Sequence, residues 1–125
     1  MQIKKTVLVI DDEPTIHRVV RMRCQKRGHN VLSTCDGMEG LAIARREKPD
    51  LVLLDINMPD MDGGDIALAL ASDRELRSIP VVYHTGMVSS AEVEKTVDGR
   101  IGSEFFISKQ QGTAEFLMRL EHHMA

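Results

Sequence analysis

Thr6-Val7-Leu8-Val9-Ile10 runs straight into Asp11-Asp12, and that junction decides the fold. Four of the first five residues are β-branched and the fifth is leucine. A run with no polar alternation suits a strand buried on both faces, as in a parallel sheet covered by helices. The same pattern returns along the chain. Val31-Leu32-Ser33-Thr34 follows Gly28-His29-Asn30, and Asp50-Leu51-Val52-Leu53-Leu54 ends at Asp55. Ile79-Pro80-Val81-Val82-Tyr83 ends at His84-Thr85-Gly86, and Phe105-Phe106-Ile107 ends at Ser108-Lys109.

Helical patterns lie between these runs. Ile16, Val19, Val20 and Cys24 form one apolar stripe within residues 13–27. Asp36 with Glu39 is a capping signature for a helix over 37–47. Residues 64–72 read as a third helix, and Ser89-Ser90-Ala91-Glu92 as the capping box of a fourth. Thr113 onward, with Phe116, Leu117, Leu120 and Met124, reads as the last. Strand and helix alternating in this way predict an α/β domain with right-handed crossovers and helices on both faces of a parallel sheet. The second strand is expected at an edge. The glycines of Thr96-Val97-Asp98-Gly99-Arg100-Ile101-Gly102 predict an early end to the fourth helix and a flexible connection to the next strand.

Composition narrows the function. The 125 residues suit a single domain, 1–125, and 42 % hydrophobic content supplies a core. The longest apolar stretch, Ile66 to Ala71, is far below the roughly 20 residues that cross a bilayer. No apolar run follows Met1, so no secretory signal is expected and a cytoplasmic location is. A net charge of -3 argues against direct nucleic-acid binding. Cys24 and Cys35 make no disulfide framework; Cys24 belongs to the apolar stripe and Cys35 has no evident partner. His122-His123 reads as a helix end rather than a metal site.

Chemistry is expected where open parallel sheets place it, beyond the carboxyl ends of the strands. The residues there are Asp11 and Asp12, Asp55 with Asn57 nearby, Thr85, and Lys109. Carboxylates gathered at one rim repel by roughly 3 kcal/mol per pair at about 5 Å and an effective dielectric near 20. Such a cluster holds protons or a cation. Hard oxygen ligands with open positions suit Mg²⁺. A cation there, faced by a lysine and a hydroxyl, can bind phosphoryl oxygens, and a carboxylate in the ring can be the nucleophile that forms an aspartyl phosphate.

Asp11-Asp12, Asp55-Ile56-Asn57-Met58-Pro59, Asp62-Gly63, Thr85-Gly86 and Phe106 three residues before Lys109 together resemble the receiver domain of two-component response regulators. The resemblance runs from Lys4 to the last helix. It implies a doubly wound, flavodoxin-like five-stranded parallel sheet in the order 2-1-3-4-5. It also implies roles: Asp55 as phosphoacceptor, and Asp11, Asp12, Asp55 and the backbone carbonyl of Asn57 as Mg²⁺ ligands. Thr85 and Lys109 would meet the phosphoryl group, Lys109 pairing with Asp55 when it is empty. Thr85 and Phe106 would form the switch.

The implied partners are a histidine kinase or histidine phosphotransfer protein as phosphohistidine donor, and a downstream protein target or output domain. That target would be regulated through the face of the fourth helix, fifth strand and fifth helix. Such a domain modifies itself and is not an enzyme acting on a separate substrate.

Several readings compete. Asp12 can serve as a helix cap, Asp55 as a turn residue, and Asp60 and Asp62 as solvated turn residues. A receiver-like module could bind or dimerise without phosphorylation. Its support is Gln110, which stands where the family usually has a proline with a cis bond to the lysine; a trans bond is expected here. A Mg²⁺-dependent phosphatase with an aspartyl nucleophile would want a carboxylate where Asn57 stands. A flavin carrier would find Asp11-Asp12-Glu13-Pro14 repelling its phosphate. Met87, two residues after Thr85, has no group to position a hydrolytic water. The basic first helix (His17, Arg18, Arg21, Arg23, Lys26, Arg27) reads first as a solvated face and second as a dock for an acidic partner.

Overall fold

The computed structural model describes residues 4–58, 62–86, 100–101 and 104–125. In chain order the elements are β1 (Thr6–Ile10), α1 (Pro14–Gln25), β2 (Asn30–Thr34), α2 (Gly37–Glu47) and β3 (Leu51–Leu54). They continue as α3 (Gly63–Ser72), β4 (Val81–Thr85), β5 (Arg100–Ile101), β6 (Glu104–Ser108) and α4 (Thr113–Met124). The sheet order is β2-β1-β3-β4-β6-β5. The five long strands are parallel, in the expected order with β2 at one edge.

The unbroken apolar runs divide as a pleat requires. Val7 and Val9 of β1 join Val20, Cys24, Phe116, Leu117 and Leu120 in a core between the sheet and the α1–α4 layer. Leu8 and Ile10 join Leu41, Ile43, Ala44, Ile66 and Leu70 in a second core against α2 and α3. Both neighbours of every β1 residue therefore need apolar side chains, and alternation disappears from the sequence.

Two expectations are corrected. The sheet has a sixth strand: Arg100–Ile101 pairs antiparallel with Glu104–Phe105, where a loose connection was expected. The fourth strand begins and ends two residues later than read, because Pro80 has no N–H for the ladder while His84 and Thr85 still pair with Ile107 and Ser108. The capping box at Ser89–Glu92 and Met87 lie outside the described residues. Among the described residues, no helix is long and apolar enough to cross a membrane.

Candidate functional site

The ladder itself delivers the acids. Asp11 N–H donates to Thr34 O at 3.2 Å, and Asp55 N–H donates to Ile10 O at 2.9 Å. Each carboxylate thus sits on the last rung of its strand, and adjacent strands bring the two rungs side by side. Asp12 joins them: one ligand oxygen from each of Asp11, Asp12 and Asp55 lies within 4.8 Å of the others. Asp12 does not cap α1. Glu13 stands at the N-cap, and its N–H donates to Asp11 Oδ1 at 2.9 Å.

The start of α3 packs directly on this rim. Asp62 caps it, Oδ1 accepting from Gly64 N–H at 2.7 Å. Between them, Gly63 lies so close to the Asp55 strand end that a Cβ would stand 2.5 Å from Asp55 O and 2.8 Å from Ile56 Cα. The Asp-Gly pair, read from sequence as an exposed turn and a helix start, is also where α3 comes closest to the strand end that carries Asp55.

Lys109 arrives from the end of β6, with β4 between it and β3. Its N–H donates to Thr85 O at 3.0 Å, which sets the two residues side by side across β4 and β6. The following turn is hydrogen-bonded: Gln110 N–H donates to Ser108 Oγ, Gln111 N–H to Ser108 O, and Ser108 N–H to Gln111 Oε1. No described peptide bond is cis, so Lys109–Gln110 is trans. The ammonium still reaches the rim. Lys109 Nζ lies 2.8 Å from Glu13 Oε1, 3.1 Å from Asp11 Oδ2 and 3.7 Å from Asp55 Oδ1. The expected pairing with Asp55 is therefore present but is the longest of three.

Charge is unresolved here. Burial, then the Asp11 charge, push the Asp55 carboxyl up to about 6, with Lys109 acting in the opposite direction. Burial also raises Asp11, against a hydrogen bond from the Glu13 backbone and the attraction of Lys109. Burial alone would lower Lys109, but its hydrogen bonds and charge contacts with the carboxylates outweigh this and hold it raised. A cluster of hard oxygens that resists full ionisation fits a divalent cation of the Mg²⁺ type.

Thr85 is buried at the head of β4. Phe106 is half-buried on the α3 face with its ring 5.4 Å from Tyr83, while Phe105 packs on the opposite face against His123. Neighbouring strand residues point to opposite sides, and both rings are partly covered.

The basic helix is largely occupied by its own fold. His17 Nε2 bonds the Asp11 carbonyl, Arg21 reaches Val31 O and Ser33 Oγ, and Arg23 stacks 5.1 Å over the Phe116 ring. Arg27 pairs with Glu121 at 3.6 Å. Cys24 is buried, as its place on the apolar stripe predicts, and Cys35 is exposed. Sequence reading missed Glu13 as a partner of Lys109; the signal was a third acidic residue adjoining the Asp pair. It also missed His84, a buried imidazole whose ring nitrogens have no hydrogen-bond partner among the described residues. Burial, with the Lys109 and Arg23 charges, drops its pKa to about 3.

Comparison with known proteins agrees with this arrangement. Residues 7–121 match the family model of the response regulator receiver domain. Protein PilH of Pseudomonas aeruginosa is 37 % identical over 103 residues, covering 82 % of this chain and 84 % of its own. The chemotaxis response regulator CheY4 of Vibrio cholerae superposes with a TM-score of 0.80 at 25 % identity, covering 97 % of this chain and 99 % of that one. The receiver domain of sensor histidine kinase PA1611 from Pseudomonas aeruginosa, described with a magnesium ion coordinated in its active-site cleft, shares the fold with a TM-score of 0.80 at 20 % identity over 98 % of both chains. With its acidic strand ends, its lysine across the rim and a family match over nearly its whole length, the chain belongs to the response regulator receiver domains.

Proposed function

We propose that this domain, residues 1–125, is a phosphorylation-dependent switch in which Asp55 accepts a phosphoryl group from a phosphohistidine. The observation that carries this is the meeting of Asp11, Asp12 and Asp55 within 4.8 Å, with Lys109 Nζ 3.7 Å from Asp55. Asp11, Asp12, Asp55 and the Asn57 carbonyl would hold Mg²⁺, which neutralises charge on the phosphoryl oxygens. An Asp55 carboxylate oxygen attacks phosphorus, the P–N bond of the donor breaks, and the imidazole leaves with its electron pair and takes up a proton. The product is an acyl phosphate on Asp55; hydrolysis returns the carboxylate and inorganic phosphate. Thr85 and Lys109 bind phosphoryl oxygens, replacing water with fixed donors.

The donor would be a histidine kinase or histidine phosphotransfer protein in the cytoplasm. Output follows from Thr85 and Phe106, which share the β4–β6 pairing: motion at the head of β4 changes the packing of the Phe106 ring against Tyr83. The responding face would include β6 and α4 and would regulate a downstream target; the expected fourth helix lies outside the described residues. The rival module acting without phosphorylation drew its support from Gln110. That support falls away, because Lys109 reaches Asp55 across a trans bond.

The test is intact mass after incubation with Mg²⁺ and a small acyl-phosphate donor, then with a phosphohistidine donor. One base-labile phosphoryl adduct, lost with Asp55→Ala and without metal, is the expected result. No adduct from either donor on folded, Mg²⁺-binding protein would overturn the assignment.

A further inference from the structure

We propose that Glu13 is a positioning residue that competes with Asp55 for Lys109 and holds the ammonium off the acceptor in the resting domain. The inference rests on Asp55 being the phosphoacceptor. Its basis is the order of three distances: 2.8 Å to Glu13, 3.1 Å to Asp11 and 3.7 Å to Asp55. The shortest contact goes to a carboxylate outside the cation-binding cluster.

Both ends of this ion pair are anchored through the backbone. Glu13 is tied to the site by its own N–H on Asp11 Oδ1, just before Pro14 starts α1. Lys109 is tied by its N–H on Thr85 O and by the hydrogen-bonded turn from Ser108 to Gln111. The backbone at both ends is therefore placed, and the freedom left lies in the two side chains. The gap between the ammonium's shortest and longest contacts is below the length of one C–C bond, so a small torsional change exchanges one partner for the other.

The competition is weighted toward release. A phosphoryl group carries more charge than a carboxylate, with three strong acceptor oxygens, so it outbids a single carboxylate once formed. The Glu13 side chain is 57 % exposed, against 13 % for Lys109, so solvent weakens its hold. Glu13 thus slows capture of the phosphoryl group without blocking it. The expected effect of losing the contact is about two- to fivefold in rate, the range that exposed ion pairs supply.

Glu13→Asp separates reach from charge, because it keeps the carboxylate and shortens the arm by one methylene. Glu13→Gln removes the charge. Phosphorylation by a small acyl-phosphate donor is followed by intact mass at saturating Mg²⁺, and the ¹⁵N ammonium resonance of Lys109 is recorded without donor. Glu13→Asp is expected to phosphorylate about two- to fivefold faster with unchanged Mg²⁺ affinity, and its Lys109 resonance to shift. Glu13→Gln is expected to be faster as well, with weaker Mg²⁺ binding. An adduct formed at an equal or lower rate by Glu13→Asp overturns the positioning role and leaves the acceptor in place. A Lys109 resonance that does not move overturns the contact. No adduct on the wild type, with a resonance that does move, overturns the acceptor assignment and leaves the Glu13–Lys109 contact standing.

Discussion

The two ends of the same sheet handle charge in opposite ways. At the carboxyl ends of the strands, Asp11, Asp12 and Asp55 crowd together, and one ammonium is shared by Asp11, Asp55 and Glu13. At the other end, acids and bases meet in matched contacts along the β1–β2 edge. His29 Nδ1 accepts from Lys5 N–H at 3.1 Å, which leaves Nε2 to donate to Glu121 at 2.8 Å. Asp50 Oδ2 accepts from Thr6 N–H at 2.7 Å, while Asp50 N–H donates to Thr6 O. The lower cluster ties β1, β2 and α4 together and has its hydrogen bonds satisfied. The upper cluster is held in place by the ladder against its own repulsion. The proposed binding of a cation and a phosphoryl group would need that unspent charge, and the fold has to supply the restraint.

From this contrast, emptying the upper cluster should destroy function and raise stability. Asp55→Asn is expected to abolish the phosphoryl adduct in a mass spectrum. In metal-free buffer near pH 8 it should also unfold at higher denaturant than the wild type, by up to about 3 kcal/mol. The sign follows from the raised carboxyl. Asp55 titrates near 6 when folded and near 3.8 when unfolded, so the native state holds the extra proton between those values. Its stabilising contribution is complete below about pH 4 and is lost as pH rises through 6; Asp11, also raised, acts in the same direction. Stability against pH in Asp55→Asn should be flatter, and an unchanged slope would break the comparison.

Mg²⁺ should reverse the penalty. At about one hundred times its dissociation constant the ion adds about 2.7 kcal/mol to the wild type. Thermal unfolding of Asp12→Ala should show much less of that increment. Gly63→Ala should cost about 1–3 kcal/mol, because the new methyl meets backbone atoms of Asp55 and Ile56 that cannot swing aside. Its Mg²⁺ affinity, read by calorimetry, should fall as well, since the displaced backbone carries Asp55, a proposed ligand.

The lower cluster should behave differently. His29→Ala removes a buried ring and its two hydrogen bonds, for a loss of about 2 kcal/mol with adduct formation unchanged. A slower adduct in that variant would mean that the two ends are coupled. At the small end, Arg45→Ala on the exposed pair with Asp73 should move the unfolding midpoint by no more than about 0.5 kcal/mol.

Particular residues mark how far the sequence could be read. Val7 through Ile10 announced a doubly covered strand because no alternation remained. Asp36 announced α2, and its Oδ1 does accept from Met38 N–H at 2.9 Å. Asp11, Asp12, Asp55 and Lys109 were legible as strand-end residues, because a parallel sheet directs all its carboxyl ends to one rim. Arg100–Ile101 was not legible. Two residues are too short for a period, and only pairing with Glu104–Phe105 makes them a strand. His84 was read only as the residue after the fourth strand; its burial beside Phe116, with ring centroids 5.6 Å apart, depends on a helix 32 residues later.

By itself the sequence determined the class of fold, the order of the long elements and the composition of the rim, because periodicity and strand-end position are local properties. Only the tertiary structure decided how one ammonium is divided among three carboxylates and why Gly63 can bear no side chain. Those outcomes depend on distances of a few ångströms between segments far apart in the chain, and such distances are set by packing and electrostatics rather than by pattern.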